Sequence, residues 1–189
     1  CPGEDTYLTD SIAEAVIKSV RKAAGDCLKN PEDYTARANM MWASSLAHNG
    51  LTQCGREFQL VVHQLEHEVS GMYPEVAHGA GLAALWCSWA RYVYKNCLPI
   101  FVRYATHVMG VTPGETDEKT ALKGIEAMED FYHEIGMPVN FKELGIAPTD
   151  EQIKEMADSC ARASGGHKGS AKDLYPEDMI AIYRMANQE

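Results

Sequence analysis

The chain has 189 residues, and its 27 acidic side chains outnumber its 17 Lys and Arg side chains, for a formal net charge of −10. This charge argues against the phosphate backbone of a nucleic acid or an anionic membrane as the main partner. No apolar run approaches the ~20 residues that cross a bilayer, and the first residues lack the basic start and apolar core of a signal peptide. We therefore expect a cytoplasmic protein with no nucleic-acid and no membrane partner.

The six cysteines, at positions 1, 27, 54, 87, 97 and 160, form no C-x-x-C pair. A chain of this length can bury a core without a disulfide framework, so we expect reduced thiols. The sequence opens with Cys1-Pro2-Gly3, which resembles a linker, and not with Met. We therefore expect a piece of a longer polypeptide.

Apolar residues recur at helical spacing almost throughout the chain. No stretch shows the sustained alternation and β-branched enrichment of a strand. The predicted helices, in chain order, cover about residues 9–28, 31–49, 57–70, 78–94, 98–109, 116–135, 149–163 and 176–183. The fourth is apolar nearly all round and should be central. The sequence therefore predicts an all-α fold, a single domain of about eight helices covering residues 1–189.

Turn and cap residues mark several helix ends. Pro31 suits the first position of the second helix, and Asn49-Gly50 suits its left-handed C-cap. Thr149 with Gln152 three residues later matches a capping box. The stretch Gly71-Met72-Tyr73-Pro74 should break the third helix.

Three histidines lie within the stretch HQLEHEVSGMYPEVAH, from His63 to His78. His63 and His67 are four apart on a predicted helix and share a face. On one unbroken helix His63 and His78 would be ~22 Å apart, too far for one metal with bonds of ~2.0–2.1 Å to imidazole. The predicted break lets the chain turn and bring His78 back, and the small residues after His78 allow a close backbone approach.

The residues alone leave other interpretations open. His63 to His67 matches the H-x-x-E-H pattern of inverted zinc peptidases. That pattern needs an acidic third ligand, and nothing marks Glu126, Glu129 or Glu143 for that role. The histidines could also be ordinary helix residues paired with neighbouring glutamates. A non-enzymatic helical assembly domain is a further possibility, because two histidines alone make a poor catalytic metal site.

Four stretches in order resemble the iron-containing (group III) alcohol dehydrogenase family, in its NAD(P)H-dependent butanol dehydrogenase branch. They are MWASSLAHNG from Met41, GRE from Gly55, HQLEHEVS from His63 and AHGAGLA from Ala77. The stretches RYVY, FVRYA and PEDMIAIY, further along the chain, fit the same branch. The resemblance covers nearly the whole chain but only the C-terminal helical half of such an enzyme.

The resemblance implies a role for each histidine. In this family an Asp-x-x-x-His pair and two later histidines hold a divalent metal, and the later pair falls on His63 and His78. An additional family histidine falls on His67. In the family it lies by the nicotinamide and substrate, and it serves either as a proton relay or as a group that supports the metal ligands. The Asp-x-x-x-His pair has no match in this chain and is expected upstream of Cys1. The spacing from His63 to His78 is one residue longer than is usual in the family.

The resemblance also implies the chemistry. The enzyme would be an oxidoreductase that transfers hydride between NAD(P) and an alcohol or aldehyde, with Fe(II) or Zn(II) at the metal site. The nucleotide-binding α/β domain is expected upstream, in the same polypeptide or as a separate chain. A homo-oligomer, such as a dimer, is expected as well. Because the resemblance places the nucleotide-binding domain and two metal ligands outside this chain, the isolated chain should be inactive.

Overall fold

The computed structural model describes residues 6–56 and 58–188. The α-helices of this part are α1 (Tyr7–Lys29), α2 (Tyr34–His48), α3 (Val61–Met72), α4 (His78–Val93), α5 (Leu98–Arg103), α6 (Asp117–Glu134), α7 (Phe141–Leu144), α8 (Asp150–Ala163) and α9 (Pro176–Gln188). The described residues contain no named strand, only an isolated bridge between Lys168 and Leu174. The prediction of an all-α fold with about eight helices is confirmed, since α7 is a single turn.

The described residues form two compact units. The first holds residues 59–97 and 136–188, with α3, α4, α7, α8 and α9. The second holds residues 6–56, Phe58 and Leu98–Ile135, with α1, α2, α5 and α6. No helix in the described ranges is both long enough and apolar enough to cross a membrane. The organisation of residues 1–189 as one domain stays a prediction.

Helix α4 is central in the first unit, as predicted. It contacts α3, α7 and α9, and it buries residues on several sides, including Ala84, Leu85 and Ala90. Small residues predominate on α4, so neighbouring helices can pack close to its backbone. From α9, Tyr183 is fully buried and its ring stacks on Phe141, with 6.3 Å between the ring centroids. Burial of each large apolar side chain contributes about 1.5–3 kcal/mol to folding.

The second unit combines an apolar core with ion pairs. On α6, Ala121 and Ile125 are fully buried. A Cβ built on Gly124 would lie 2.4 Å from the Cβ of Ala105, so only glycine fits at this helix contact. Asp10 and Glu14 on α1 pair with Arg56 and Arg103, and these pairs tie α1 to the turn at Arg56 and to α5.

Four helix boundaries differ from the prediction by three residues or more, one of them the end of α9, which continues to Gln188. Helix α2 begins at Tyr34 and not at Pro31, because the Asp33 side chain accepts a hydrogen bond from the Ala36 N–H at 3.0 Å and caps the helix there. Helix α3 begins at Val61, later than predicted, and the predicted start at Glu57 lies outside the described residues. Helix α5 gives way to a π-helical segment, Tyr104–Val108.

Several end signals are confirmed. Gly50 adopts a φ of 89°, the left-handed conformation expected after α2. The Thr149–Gln152 capping box is present in full at the start of α8. Helix α7 was not predicted, although Asn140 caps it and Gly145, with a φ of 85°, ends it.

The cysteines agree with the expectation in part. Cys27, Cys54, Cys87 and Cys160 are free thiols. Burial raises the pKa of Cys160 to about 11, which keeps that thiol protonated in the core. The expectation of reduced thiols is wrong for Cys97, which is disulfide-bonded.

Candidate metal centre

The chain turns between α3 and α4, close to the predicted position. Helix α3 includes Gly71 and ends at Met72, and the Tyr73 N–H still donates to the Val69 carbonyl at 2.8 Å. The Val76 N–H donates to the Tyr73 carbonyl at 3.0 Å, which closes the turn before α4 begins at His78. The two helices pack on each other. A continuous helix from His63 to His78 is therefore excluded.

This turn brings the three histidines of the first unit together. Nε2 of His63 lies 3.2 Å from Nε2 of His78, and their ring centroids are 4.5 Å apart. The ring centroid of His67 lies 4.7 Å from that of His63 and 5.5 Å from that of His78. One nitrogen from each ring can be chosen so that all three lie within 4.8 Å of one another. The predicted approach of His63 and His78 is confirmed.

The arrangement of nitrogens fits a metal ion. Two nitrogens bound to one ion at ~2.0–2.1 Å, at a roughly tetrahedral angle, lie about 3.3 Å apart. The observed separation between His63 and His78 is 3.2 Å. Imidazole nitrogen suits Fe(II) and Zn(II). Two imidazoles fall short of the three protein ligands and open position of a catalytic zinc site. If only His63 and His78 bind the ion, further ligands must come from other residues.

A buried carboxylate lies behind His78. Glu66 on α3 is fully buried, and its Oε2 is in close contact with Nδ1 of His78. Its Oε1 accepts a hydrogen bond from the Ser70 hydroxyl at 2.5 Å. Nδ1 is the ring nitrogen of His78 that faces away from His63, since Nε2 makes the contact with His63. Glu66 therefore contacts the back of the His78 imidazole.

Gly81 makes room for this carboxylate. A Cβ built on Gly81 would lie 2.5 Å from Oε1 of Glu66 and 2.8 Å from its Cγ, whereas a Cβ on Gly79 would meet nothing within 4 Å. The close backbone approach expected for the small residues after His78 therefore occurs at Gly81. The absence of a side chain at Gly81 leaves room for Glu66 of α3. Helical periodicity places Glu66 on α3 but does not show that it is buried.

A hydrogen bond from α9 also holds helix α3 in position. The Tyr183 hydroxyl of α9 donates to the Leu65 carbonyl at 2.7 Å, between His63 and His67 in the chain. Burial raises the pKa of Tyr183 well above its ordinary value, so the phenol stays a donor. This bond holds the backbone that carries the two histidines.

The geometry does not favour the H-x-x-E-H peptidase. In such an enzyme the glutamate must reach a water molecule at the metal, but Glu66 is fully buried against His78 and Ser70. Glu143 accepts from the Val139 N–H at 3.1 Å beside the cap of α7. The carboxylate of Glu143 is therefore engaged in a structural hydrogen bond at the start of α7.

The comparisons with known proteins agree with the resemblance. The profile of the Fe-containing alcohol dehydrogenase family, C-terminal, matches residues 3–187. The chain belongs to this family. Within it, the chain is 35% identical over 182 residues to the NADH-dependent butanol dehydrogenase A of Clostridium acetobutylicum. It is 32% identical over 146 residues to the NADPH-dependent aldehyde reductase YqhD of Escherichia coli, covering 75% of this chain and 36% of that protein.

Solved structures of a butanol dehydrogenase and an aldehyde reductase share this fold. The NADH-dependent butanol dehydrogenase A of Thermotoga maritima matches 98% of this chain and 48% of its own, with a TM-score of 0.88 and 33% identity. The Escherichia coli aldehyde reductase YqhD, free of substrate and cofactor, matches 96% of this chain and 47% of its own, with a TM-score of 0.88 and 25% identity. The match to the Clostridium enzyme covers 96% of this chain and 46% of that enzyme. The chain thus spans about half the length of the relatives it matches.

Proposed function

We propose that the chain is the C-terminal, metal-binding part of an NAD(P)H-dependent alcohol dehydrogenase or aldehyde reductase. The observation that carries this proposal is the 3.2 Å separation of the His63 and His78 Nε2 atoms in a chain of this family. Relatives named as an NADH-dependent butanol dehydrogenase and an NADPH-dependent aldehyde reductase support the reaction class.

His63 and His78 would hold a divalent ion, Fe(II) or Zn(II), through their facing Nε2 atoms. When bound, such an ion stabilises negative charge on the oxygen of the alcohol or aldehyde. In the direction of reduction, NAD(P)H, when bound, would supply the hydride for the carbonyl carbon, and the oxygen would need a proton. The exposed His67, one helical turn from His63, would supply or receive that proton, because an imidazole titrates near neutral pH.

The rest of the enzyme would come from an upstream nucleotide-binding domain. We propose that this domain supplies the remaining metal ligands and the dinucleotide site, either in the same polypeptide or as a separate chain. The assembled enzyme would act in the cytoplasm as a homo-oligomer on an alcohol or aldehyde substrate.

The test compares residues 1–189 alone with the same residues joined to the upstream half. The measurement is the change in nicotinamide absorbance with butanal, in the presence of Fe(II) or Zn(II), together with the bound metal per chain. From residues 1–189 alone we expect weak metal binding and no turnover. From the joined protein we expect stoichiometric metal binding and turnover.

Two results would contradict the proposal. Robust turnover by residues 1–189 alone would identify a different enzyme. A folded joined protein with neither stoichiometric metal nor turnover would identify a helical assembly domain instead.

A further inference from the structure

We infer that Glu66 is a positioning residue for the metal centre. Its buried carboxylate accepts the Nδ1 proton of His78 and so keeps the lone pair of Nε2 on the side that faces His63. The inference rests on the proposed function, because orienting His78 matters only where His78 binds a metal. It assigns a function to the glutamate of the H-x-x-E-H pattern that differs from its function in a peptidase.

The burial of Glu66 requires donors for both carboxylate oxygens. An ionised carboxylate loses several kcal/mol of hydration when it is buried without partners. The Ser70 hydroxyl serves Oε1. Within the described ranges, Oε2 has no hydrogen-bond partner apart from its close contact with Nδ1 of His78. That nitrogen must carry a proton if the carboxylate is to be satisfied.

A proton on Nδ1 determines what the other nitrogen can do. A neutral imidazole has one N–H and one lone pair, so protonation at Nδ1 leaves Nε2 as the acceptor. This Nε2 is the atom that lies 3.2 Å from Nε2 of His63. Glu66 therefore selects the tautomer of His78 that can bind a metal between the two rings, as groups behind metal-binding histidines commonly do.

The position of Glu66 also links the two helices. It lies on α3 between His63 and His67, but its carboxylate contacts a histidine on α4. Gly81, one turn further along α4, provides the space that the carboxylate occupies. The contact thus fixes the ring of His78 relative to the helix that carries His63.

The experiment replaces Glu66 in the joined protein by residues of similar length. Glu66→Gln keeps an oxygen acceptor, and Glu66→Met keeps the shape but has no comparable acceptor. Glu68→Gln, the same change two residues along α3, is the matched control. Zn(II) affinity is measured by chelator competition, and the tautomer of His78 is measured by ¹⁵N NMR of the metal-free protein labelled at histidine.

We expect Glu66→Met to lose about 10–100-fold in Zn(II) affinity, which is the usual effect of removing such a supporting group. It should also lose the preference for the Nδ1–H tautomer. Glu66→Gln should keep that tautomer and most of the affinity, and Glu68→Gln should match the wild type. Wild-type affinity in Glu66→Met, or equal losses in the Gln and Met variants, would overturn the inference.

A reference variant separates the two proposals. His63→Ala should abolish tight Zn(II) binding if the metal centre is correctly placed. If His63→Ala binds Zn(II) as tightly as the wild type, the proposed function itself fails. If His63→Ala fails to bind and Glu66→Met binds normally, only the inference about Glu66 fails.

Discussion

The three histidines differ in their surroundings. His78 has the Glu66 carboxylate at its Nδ1 and His63 at its Nε2. His67 is exposed and makes ring contacts with both of the others. These surroundings suit two fixed ligands and one histidine free to exchange a proton with a substrate.

Alanine variants of the joined protein should separate these functions. His63→Ala and His78→Ala should lose metal and turnover together, because each removes a nitrogen of the close pair. His67→Ala should keep its metal and lose about 10²–10⁴-fold in turnover, the usual contribution of a general acid or base. The measurements are metal content after dialysis and the rate of butanal reduction.

His48→Ala, which changes an exposed histidine at the end of α2, is the control for the loss of an imidazole. The proposed division of functions is wrong if His67→Ala empties the site while His78→Ala does not.

The sequence predicts that His63 and His78 approach each other, but it does not predict that Glu66 contacts His78. The pair follows from a proline-containing turn between two helices, which is local information. The burial of Glu66 depends on how closely α4 approaches α3 at Gly81, and spacing along one helix does not contain that information.

Helices with strong local signals are the ones that the sequence predicts well. The capping box at Thr149 begins α8 as predicted, and Gly50 adopts the predicted left-handed conformation after α2. The four-residue α7 was missed because a single turn is too short for a period of 3.6 to be recognised. The π-helical segment Tyr104–Val108 was missed because its apolar spacing resembles that of an α-helix over so few residues.

One capping residue also supports the turn at the site. The Gln152 side chain accepts from the Thr149 N–H at 2.8 Å and from the Tyr73 hydroxyl at 3.2 Å. Tyr73→Phe should cost about 0.5–1.5 kcal/mol of stability, the typical net contribution of one hydrogen bond. We expect it also to weaken Zn(II) binding in the joined protein, because the turn sets the approach of His78. Urea unfolding and chelator competition measure the two effects.

Thr116→Ala is the control at a helix end remote in sequence from the histidines. It removes the side-chain cap of α6, where Thr116 accepts from the Lys119 N–H at 3.2 Å. It should cost about 1 kcal/mol of stability without changing Zn(II) affinity. Equal Zn(II) affinities in Tyr73→Phe and the wild type would show that the turn does not depend on this hydrogen bond.

For the molecule as a whole, carboxylates that accept hydrogen bonds in the folded state make stability sensitive to acid. Asp178 is a buried example in the first unit. Burial raises its pKa, but hydrogen bonds from Lys172, the Tyr92 hydroxyl and the Tyr175 N–H outweigh that effect, so the pKa is lowered. A lowered folded-state pKa contributes stability that is present above the unfolded pKa of about 3.9 and is lost as pH falls through the folded value.

Asp178→Asn should therefore reduce the free energy of unfolding at pH 7 by about 1–3 kcal/mol, because donors in a buried site lose a charged acceptor. The difference from the wild type should shrink below about pH 4, as the wild-type carboxyl becomes protonated. Urea unfolding between pH 3 and pH 7 measures it. Asp173→Asn, at a side chain that is 63% exposed, is the control and should show little change. A constant difference across this pH range would contradict the argument.

The fit between Glu66 and Gly81 restricts the order in which these two positions can change during evolution. A methyl group at position 81 would overlap the carboxylate of Glu66, as its Cβ distances show. Alanine at position 81 would therefore displace this carboxylate from His78 unless position 66 is shortened first. Substitutions at the two sites should be strongly epistatic, and relatives with a larger residue at position 81 should carry a smaller one at position 66.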